Sequence, residues 1–345
     1  MRKNKQKPIS APIEKKISMQ SIADELGIAR STVSFVLNGK ERQGRISDEL
    51  AQKVRQTAER MNYRINELAR SLRTGRSNTI ALVIADISDV FFGTLAYHLQ
   101  EYAETKGFAV IILNTGEKKE RLKMIFEMLS NRHIDGVIMV PVANIDEHEI
   151  ERLNPDIPLV FVDRYFKTLK TSRVIINNYD ITKIATQLLL GKGCRKLGFI
   201  SYRESLMHLQ DRKRGFIDAL TPNNLYDENL ICEVEYSSFK YEKILEFLKD
   251  RFNNRQLDGI VLATGGITAL AGRAMINMGI KLQSDIQIVG FGRIEITAGV
   301  SIPYVKQPMN EICKQSFDIL LNLIETKENR VVDCVLSASI VSDMY

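Results

Sequence analysis

The sequence predicts two architectures in one chain: a small all-α head, then an α/β body of two doubly wound lobes with parallel sheets. Three observations predict this. Residues 1–78 hold 17 Lys and Arg against 8 Asp and Glu, net +9, while the remaining 267 residues hold 31 against 34, net −3. Short helical runs flank Gly27 near the start. Beyond Ile80, strand-length apolar runs alternate with helix-length ones, the pattern of a parallel sheet covered on both faces. A chain of 345 residues exceeds one compact core, and 44% hydrophobic content is enough to bury several.

In the head, Ser18 is placed to cap a first helix running through Glu25, and Gly27 can adopt the positive φ that ends it. A second helix is expected from Arg30 to Leu37, crossing closely over Ala23, with Val33 and Val36 facing Ile22 and Leu26. Small residue, turn glycine and buried aliphatic at these offsets satisfy the geometry of a helix-turn-helix. Arg30, Ser31, Ser34, Phe35 and Asn38 are left on the outer face, where most of them can meet base edges in a major groove. A third helix begins at Ser47, with Asp48 and Glu49 in its first turn and Leu50, Val54, Ala58 and Met61 at helical spacing. The following run Asn66 to Arg73, about two turns, is too short to be stable alone and is expected to order on DNA. Ala69 and Leu72 share a face there with Arg70 beside them, the arrangement of a leucine wedge in a minor groove.

In the body, strands are expected at Ile80 to Ala85, Ala109 to Asn114, Gly136 to Pro141, Leu159 to Val162, Leu197 to Ser201, Gly259 to Ala263 and Ile286 to Gly290. Helices alternate with them, and a last helix is expected around Pro308 to Glu325. Two such sets imply two lobes with a cleft between them.

Together the pieces STVSFVLNG, MNYRINELARSLRTG, ADISDVFFGTLA, RHIDGVIMVP, PLVFVDR, DRKRGFIDAL and VKQPMNEI resemble the lactose-repressor (LacI/GalR) family over nearly the whole chain. The resemblance implies a helix-turn-helix headpiece on a periplasmic-binding-protein-like body whose lobes are joined by three crossings, with a small effector in the cleft. It also implies that Arg30 and Ser31 read base edges, that Ser18, Thr32, Ser34, Tyr63 and Asn66 hold phosphates, and that Ala69 and Leu72 are the wedge. The implied division is a disordered basic arm at 1–16, the headpiece at 17–64, hinge helix and linker at 65–78, and an effector-binding and dimerisation body at 79–345. Its lobes would be about 79–163 with 305–330, and about 176–300 with 331–345.

The chain departs from the family pattern at several sites. Phe35 stands where an arginine often reads guanine, and can only touch a thymine methyl or pack. Ile65 replaces the usual proline before the hinge. In the cleft, Thr264 and Gly265 replace an Asn-Asp pair, and Gly292 and Arg293 follow the VGF strand where an aspartate is common. The remaining effector candidates are Phe91, Phe92, Asp163, Arg164 and Arg212, with Thr264 and Gly292 lining the site. From these we expect an atypical, anionic effector anchored by Arg212. The alternative is a degenerate cleft that works without a small effector.

Other classes fit less well. There is no GxGxxG after a strand, no GxxxxGK[ST], no nucleophile elbow and no metal spacing, so neither an α/β enzyme nor a cofactor or metal is expected. Cys194, Cys232, Cys313 and Cys334 are scattered as reduced, buried thiols would be. The start MRKNKQKPIS lacks the apolar core of a signal peptide, which argues for a cytoplasmic regulator over a transport receptor. The end lacks an apolar heptad tail, which argues for a homodimer over a tetramer.

Overall fold

The computed structural model describes residues 17–63, 75–143, 145–153, 157–203, 206–236, 240–293, 301–328 and 330–342. Packing divides the chain between Gly75 and Arg76 into two units. This is slightly earlier than expected, because Ser77 and Asn78 belong to the body: Asp135 accepts from their backbone N–H groups at 2.7 and 2.8 Å.

The head holds helices α1 (Met19–Leu26), α2 (Arg30–Leu37) and α3 (Asp48–Arg60). Ser18 caps α1 in a reciprocal pair with Ser21, and Gly27 ends it at φ 65°, a left-handed conformation that costs glycine little. Ile22, Ala23, Val33, Val36, Ala51, Val54 and Ala58 form the core. Ala51 takes the buried place expected of Leu50, which is half-buried.

The body is two six-stranded sheets. The first contains β1 (Thr79–Ile84), β2 (Ala109–Asn114), β3 (Gly136–Met139), β4 (Leu159–Val162), β5 (Ser172–Ile176) and β11 (Asp333–Leu336), in the order β11-β5-β4-β3-β1-β2. The second contains β6 (Leu197–Tyr202), β7 (Ile231–Val234), β8 (Gly259–Leu262), β9 (Gln287–Phe291), β10 (Tyr304–Lys306) and β12 (Ser339–Val341), in the order β12-β10-β9-β8-β6-β7. All pairings are parallel except β10 with β12. Strands such as β3 and β8 are buried at every residue, as strands covered on both faces must be.

Between strands run α4 (Val90–Thr105), α5 (Lys119–Ser130), α6 (Glu147–Leu153), α7 (Asn178–Gly191), α8 (Met207–Leu220), α9 (Lys240–Asn253), α10 (Gly265–Asn277) and α11 (Met309–Thr326). α11 packs on α4, β3 and β4, whereas α7 packs on α8, β8 and β9. The chain therefore crosses between lobes three times, after β5, after β10 and between β11 and β12. The lobe boundaries differ from expectation at two places. β10 belongs to the second sheet, and β11, expected in the second lobe, pairs with β5 in the first.

Two glycines permit close packing. A Cβ on Gly215 would stand 2.2 Å from the Tyr179 carbonyl oxygen where α8 crosses α7, and one on Gly136 would stand 2.7 Å from Leu320 Cδ1 under α11.

Candidate DNA interface and effector cleft

On the head, Arg30 and Ser31 are exposed at the start of α2. Ala29 offers no side-chain cap, so no capping side chain offsets the positive end of the helix dipole at the start of α2, where the Thr32 amide donates to the Ala29 carbonyl at 2.9 Å. Thr32 and Ser34 are half-buried. Asn38 folds back on the helix, its Nδ2 donating to the Ser34 carbonyl at 2.6 Å. Tyr63 lies close enough to Arg30 to feel its charge; burial still raises the phenol's pKa, outweighing that pull.

Phe35 is 38% exposed, and its ring lies against the loop after α2: a Cβ on Gly44 would be 3.0 Å from Phe35 Cγ. That loop is tied to α3 by Arg55 donating to Glu41 at 2.6 Å, and α1 to the end of α3 by Arg60 with Glu25. Phe35 thus props the loop as well as facing outward. Ser18 is engaged in its cap. Asn66, Ala69, Arg70 and Leu72 lie outside the described residues.

In the body, Phe91 and Phe92 meet edge to face, with ring centroids 5.1 Å apart, at the start of α4. Asp163 follows β4 in a left-handed conformation, φ 65°, and its side chain is 9% exposed. Burial raises its pKa, against the opposing pull of Arg212 and Arg164. Arg164 donates to Glu117 at 2.6 Å and to the Pro141 carbonyl at 3.2 Å, and its guanidinium stands 5.5 Å from the Phe92 ring centroid.

Arg212, on α8 of the other lobe, lies 4.0 Å from the Phe291 ring centroid. Its Nε donates to Asn178 at 2.8 Å and its Nη1 to the Ala263 carbonyl at 2.6 Å. Its Nη2 is buried without a partner among the described residues, 4.0 Å from Asp163 Oδ1. That gap is too wide for a hydrogen bond. Burial lowers the pKa of Arg212 to about 10, so it stays charged near neutrality.

Thr264 and Gly292 give the cleft little chemistry. Thr264 caps α10, accepting from the Ile267 amide at 3.2 Å, and Gly292 turns the chain at φ 74° after β9.

The facing lobe brings further carboxylates to the cleft. Asp89 caps α4 by accepting from the Phe91 amide at 2.9 Å, and burial raises its pKa. A Cβ on Gly266, at the start of α10, would be 3.6 Å from Asp89 Oδ2, so the two lobes meet there. Asp86 accepts from the Tyr236 hydroxyl at 2.9 Å across the same opening. Tyr165 donates across to Asp211, also at 2.9 Å. His208, one turn before Arg212, is 4% exposed and its Nδ1 has no partner among the described residues. Burial first, then the charges of Arg212 and Arg164, push its pKa well below 6.5. Sequence reasoning missed Asp86, Asp89, Glu117 and His208. Asp86 and Asp89 stood in the ADISDVFF piece, and His208 is four residues before Arg212, hence on the same helix face.

A three-helix head with an outward recognition helix, on a two-lobed body with a buried polar cleft, defines a DNA-binding regulator under small-molecule control. Residues 18–66 match the model of bacterial regulatory proteins of the lacI family, and residues 77–333 that of periplasmic binding proteins and the sugar binding domain of the LacI family. The ribose operon repressor of Halalkalibacterium halodurans is 30% identical over 312 residues, covering 90% of this chain and 91% of its own. The transcriptional repressor PurR of Vibrio atlanticus is 26% identical over 321 residues, covering 90% and 93%. The lac repressor dimer bound to operator and an anti-inducer shares the fold at TM-score 0.80 and 20% identity, over 95% of this chain and 98% of that one. The chain belongs to the LacI family, and is a DNA-binding transcriptional repressor controlled by a small-molecule ligand. Among the described residues, no helix is long and apolar enough to cross a membrane.

Proposed function

We propose that the chain acts in the cytoplasm as a homodimer, without catalysis, and that its effector is a neutral polyhydroxylated molecule of the monosaccharide class. The observation that carries this is the pair Arg212 Nη2 and Asp163 Oδ1, 4.0 Å apart on side chains 3% and 9% exposed, the first buried with no hydrogen-bond partner among the described residues. A hydroxyl set between them accepts from the guanidinium and donates to the carboxylate, completing both. Phe92 and Phe291 supply apolar faces beside the two guanidinium groups.

An anionic effector has less support. Arg164 is already neutralised by Glu117, Arg212 faces Asp163, and Asp86 and Asp89 add further negative charge nearby. The cleft therefore offers no net positive field to hold an anion. The relatives named as ribose operon repressors make D-ribose the first probe. Thermal unfolding of the full chain with D-ribose, other neutral pentoses and hexoses, and ribose 5-phosphate tests the reading. Stabilisation by a neutral sugar supports it, and stabilisation by the phosphate alone overturns it.

A second reading, in which the cleft works without a small effector, draws support from the bonds that already join the lobes, Tyr236 to Asp86 and Tyr165 to Asp211. Under that reading no sugar or sugar phosphate shifts the melting temperature.

For the dimer, the first lobe offers Val90 and Tyr97, seven residues apart on one face of α4, with Ile112 on edge strand β2 and Met124 on α5, all exposed. Effector-driven closure of the lobes would then set whether the two hinge segments, 65–78, order together on an operator.

A further inference from the structure

We infer that His208 is a specificity-determining residue: its unpartnered Nδ1, one helical turn from the unpartnered Nη2 of Arg212, reads one particular hydroxyl of the effector. This rests on the neutral-sugar reading above and goes beyond it by assigning a residue that selects among sugars.

Buried polar side-chain atoms are almost always hydrogen-bonded, because an unmade bond in an apolar setting is costly. A buried histidine is ordinarily part of a satisfied core. Here His208 is 4% exposed and its Nδ1 has no partner among the described residues. The ring also lies within electrostatic reach of guanidinium groups from both lobes, Arg212 of its own helix and Arg164 from beyond β4. Asp211 and Arg212, three and four residues on, both meet the other lobe, Asp211 accepting from Tyr165 at 2.9 Å and Arg212 standing 4.0 Å from Asp163, so His208 shares the face of α8 turned to that lobe. Burial first, and then the charges of Arg212 and Arg164, keep the imidazole neutral, so its nitrogens can donate at one and accept at the other.

This is what selection between similar sugars requires. A sugar with a hydroxyl at the right carbon completes the imidazole's hydrogen bond. An epimer or deoxy analogue leaves it unmade in a closed, dry site, and a site built around a hydroxyl rejects a ligand that lacks it.

The test uses the full chain. Thermal unfolding with D-ribose, D-xylose, L-arabinose, D-glucose and D-galactose identifies the tightest binder, and calorimetry then measures that sugar and each of its monodeoxy analogues. With the unmodified protein, one analogue is expected to bind about tenfold more weakly than the parent. With His208→Leu that difference should vanish while the other deoxy penalties remain, and His208→Gln, which keeps hydrogen-bonding atoms, should restore part of it. An unchanged pattern of deoxy penalties in His208→Leu overturns the inference. Should that variant fail to fold, the imidazole nitrogen resonances of the unmodified protein decide: the Nδ1 signal should move with the parent sugar and stay still with the discriminated analogue, and equal movement with both overturns the inference. If Arg212→Gln abolishes sugar binding while His208→Leu keeps the original selectivity, the effector reading stands and this inference alone fails. If no sugar in the panel stabilises the protein, both fall together.

Discussion

A guanidinium nitrogen left open inside a protein carries a free-energy cost that a ligand hydroxyl can relieve, and at Arg212 that open nitrogen lies at the meeting of the two lobes. Two of its nitrogens are spent on Asn178 and the Ala263 carbonyl, so those bonds aim the third. Arg212→Gln removes the prong and leaves Asp163 buried without its main counter-charge. Effector affinity should fall by roughly 2–5 kcal/mol in calorimetry, the range for truncating one partner of a buried charged pair. Arg212→Lys should recover little of it, since an ammonium cannot make the same fork. His208 carries a second residue-scale prediction. Its folded pKa lies well below 6.5, so as pH falls below about 6.5 the unfolded chain takes up a proton that the folded body refuses. Stability must then drop on acidification through that window. Asp163 and Asp89, whose pKa values are raised, act with the opposite sign: the folded form keeps their protons more readily, and that contribution fades as pH rises through the folded values. The difference between the unmodified chain and His208→Gln isolates the histidine. The melting temperature should fall less between pH 6.5 and 5.5 in the variant, and identical slopes would refute the assignment.

Among the elements, α7 and α8 are the tightest pair, because Gly215 admits the Tyr179 carbonyl where any side chain would collide. Gly215→Ala must push the helices apart and is expected to cost about 1–3 kcal/mol in chemical denaturation of the body. It should also blunt effector binding, because Asn178 at the start of α7 is what aims Arg212 on α8. Elements of this kind differ in how plainly the sequence shows them. The three head helices were legible from Ser18, Gly27 and Ser47, because caps and a left-handed glycine are local chemistry. Buried strands such as β1 and β3 showed as unbroken apolar runs. Strands β5, β7, β10, β11 and β12 did not show. β7 and β11 are edge strands with alternate residues facing out, β10 and β12 have three residues each, and β5 opens with Ser172 and Arg173. Those two polar residues tie β5 to its neighbour, Ser172 accepting from the Val332 amide at 3.0 Å and Arg173 donating to Asp333 at 2.7 Å. The site divides the same way. Arg212 and Asp163 stand in recognisable pieces, but the 4.0 Å gap between them is a product of two lobes meeting. Likewise, Asp86 and Asp89 stand in a recognisable piece, but their approach to Tyr236 and Gly266 of the facing lobe is a product of the fold.

For the whole molecule, the separation of charge sets how the two units divide their work. A head and linker region with net +9 should bind any DNA through phosphates, and the affinity should fall steeply between 50 and 200 mM salt, about a thousandfold if six or so contacts release counterions. Specific repression needs more, because one head offers a single short recognition helix, and two heads held as a dimer can engage two half-sites at once. The proposed apolar patch on α4 and β2 would hold that dimer, and Val90 offers a clean way to break it. It is 74% exposed and begins α4, so Val90→Glu places a charge where the helix dipole favours it and should leave the fold intact. Across a homodimer interface the same substitution would bury like charges with no partner. Sedimentation should show Val90→Glu as a monomer at concentrations where the unmodified chain is a dimer. Its affinity for a palindromic operator should fall by at least about a hundredfold at fixed salt, consistent with losing an effective local concentration. Non-specific binding and its salt slope per head should be unchanged, since the basic surface is untouched. A variant that remains dimeric and keeps full operator affinity would remove α4 from the interface, and the dimer would have to be sought on another face of the body.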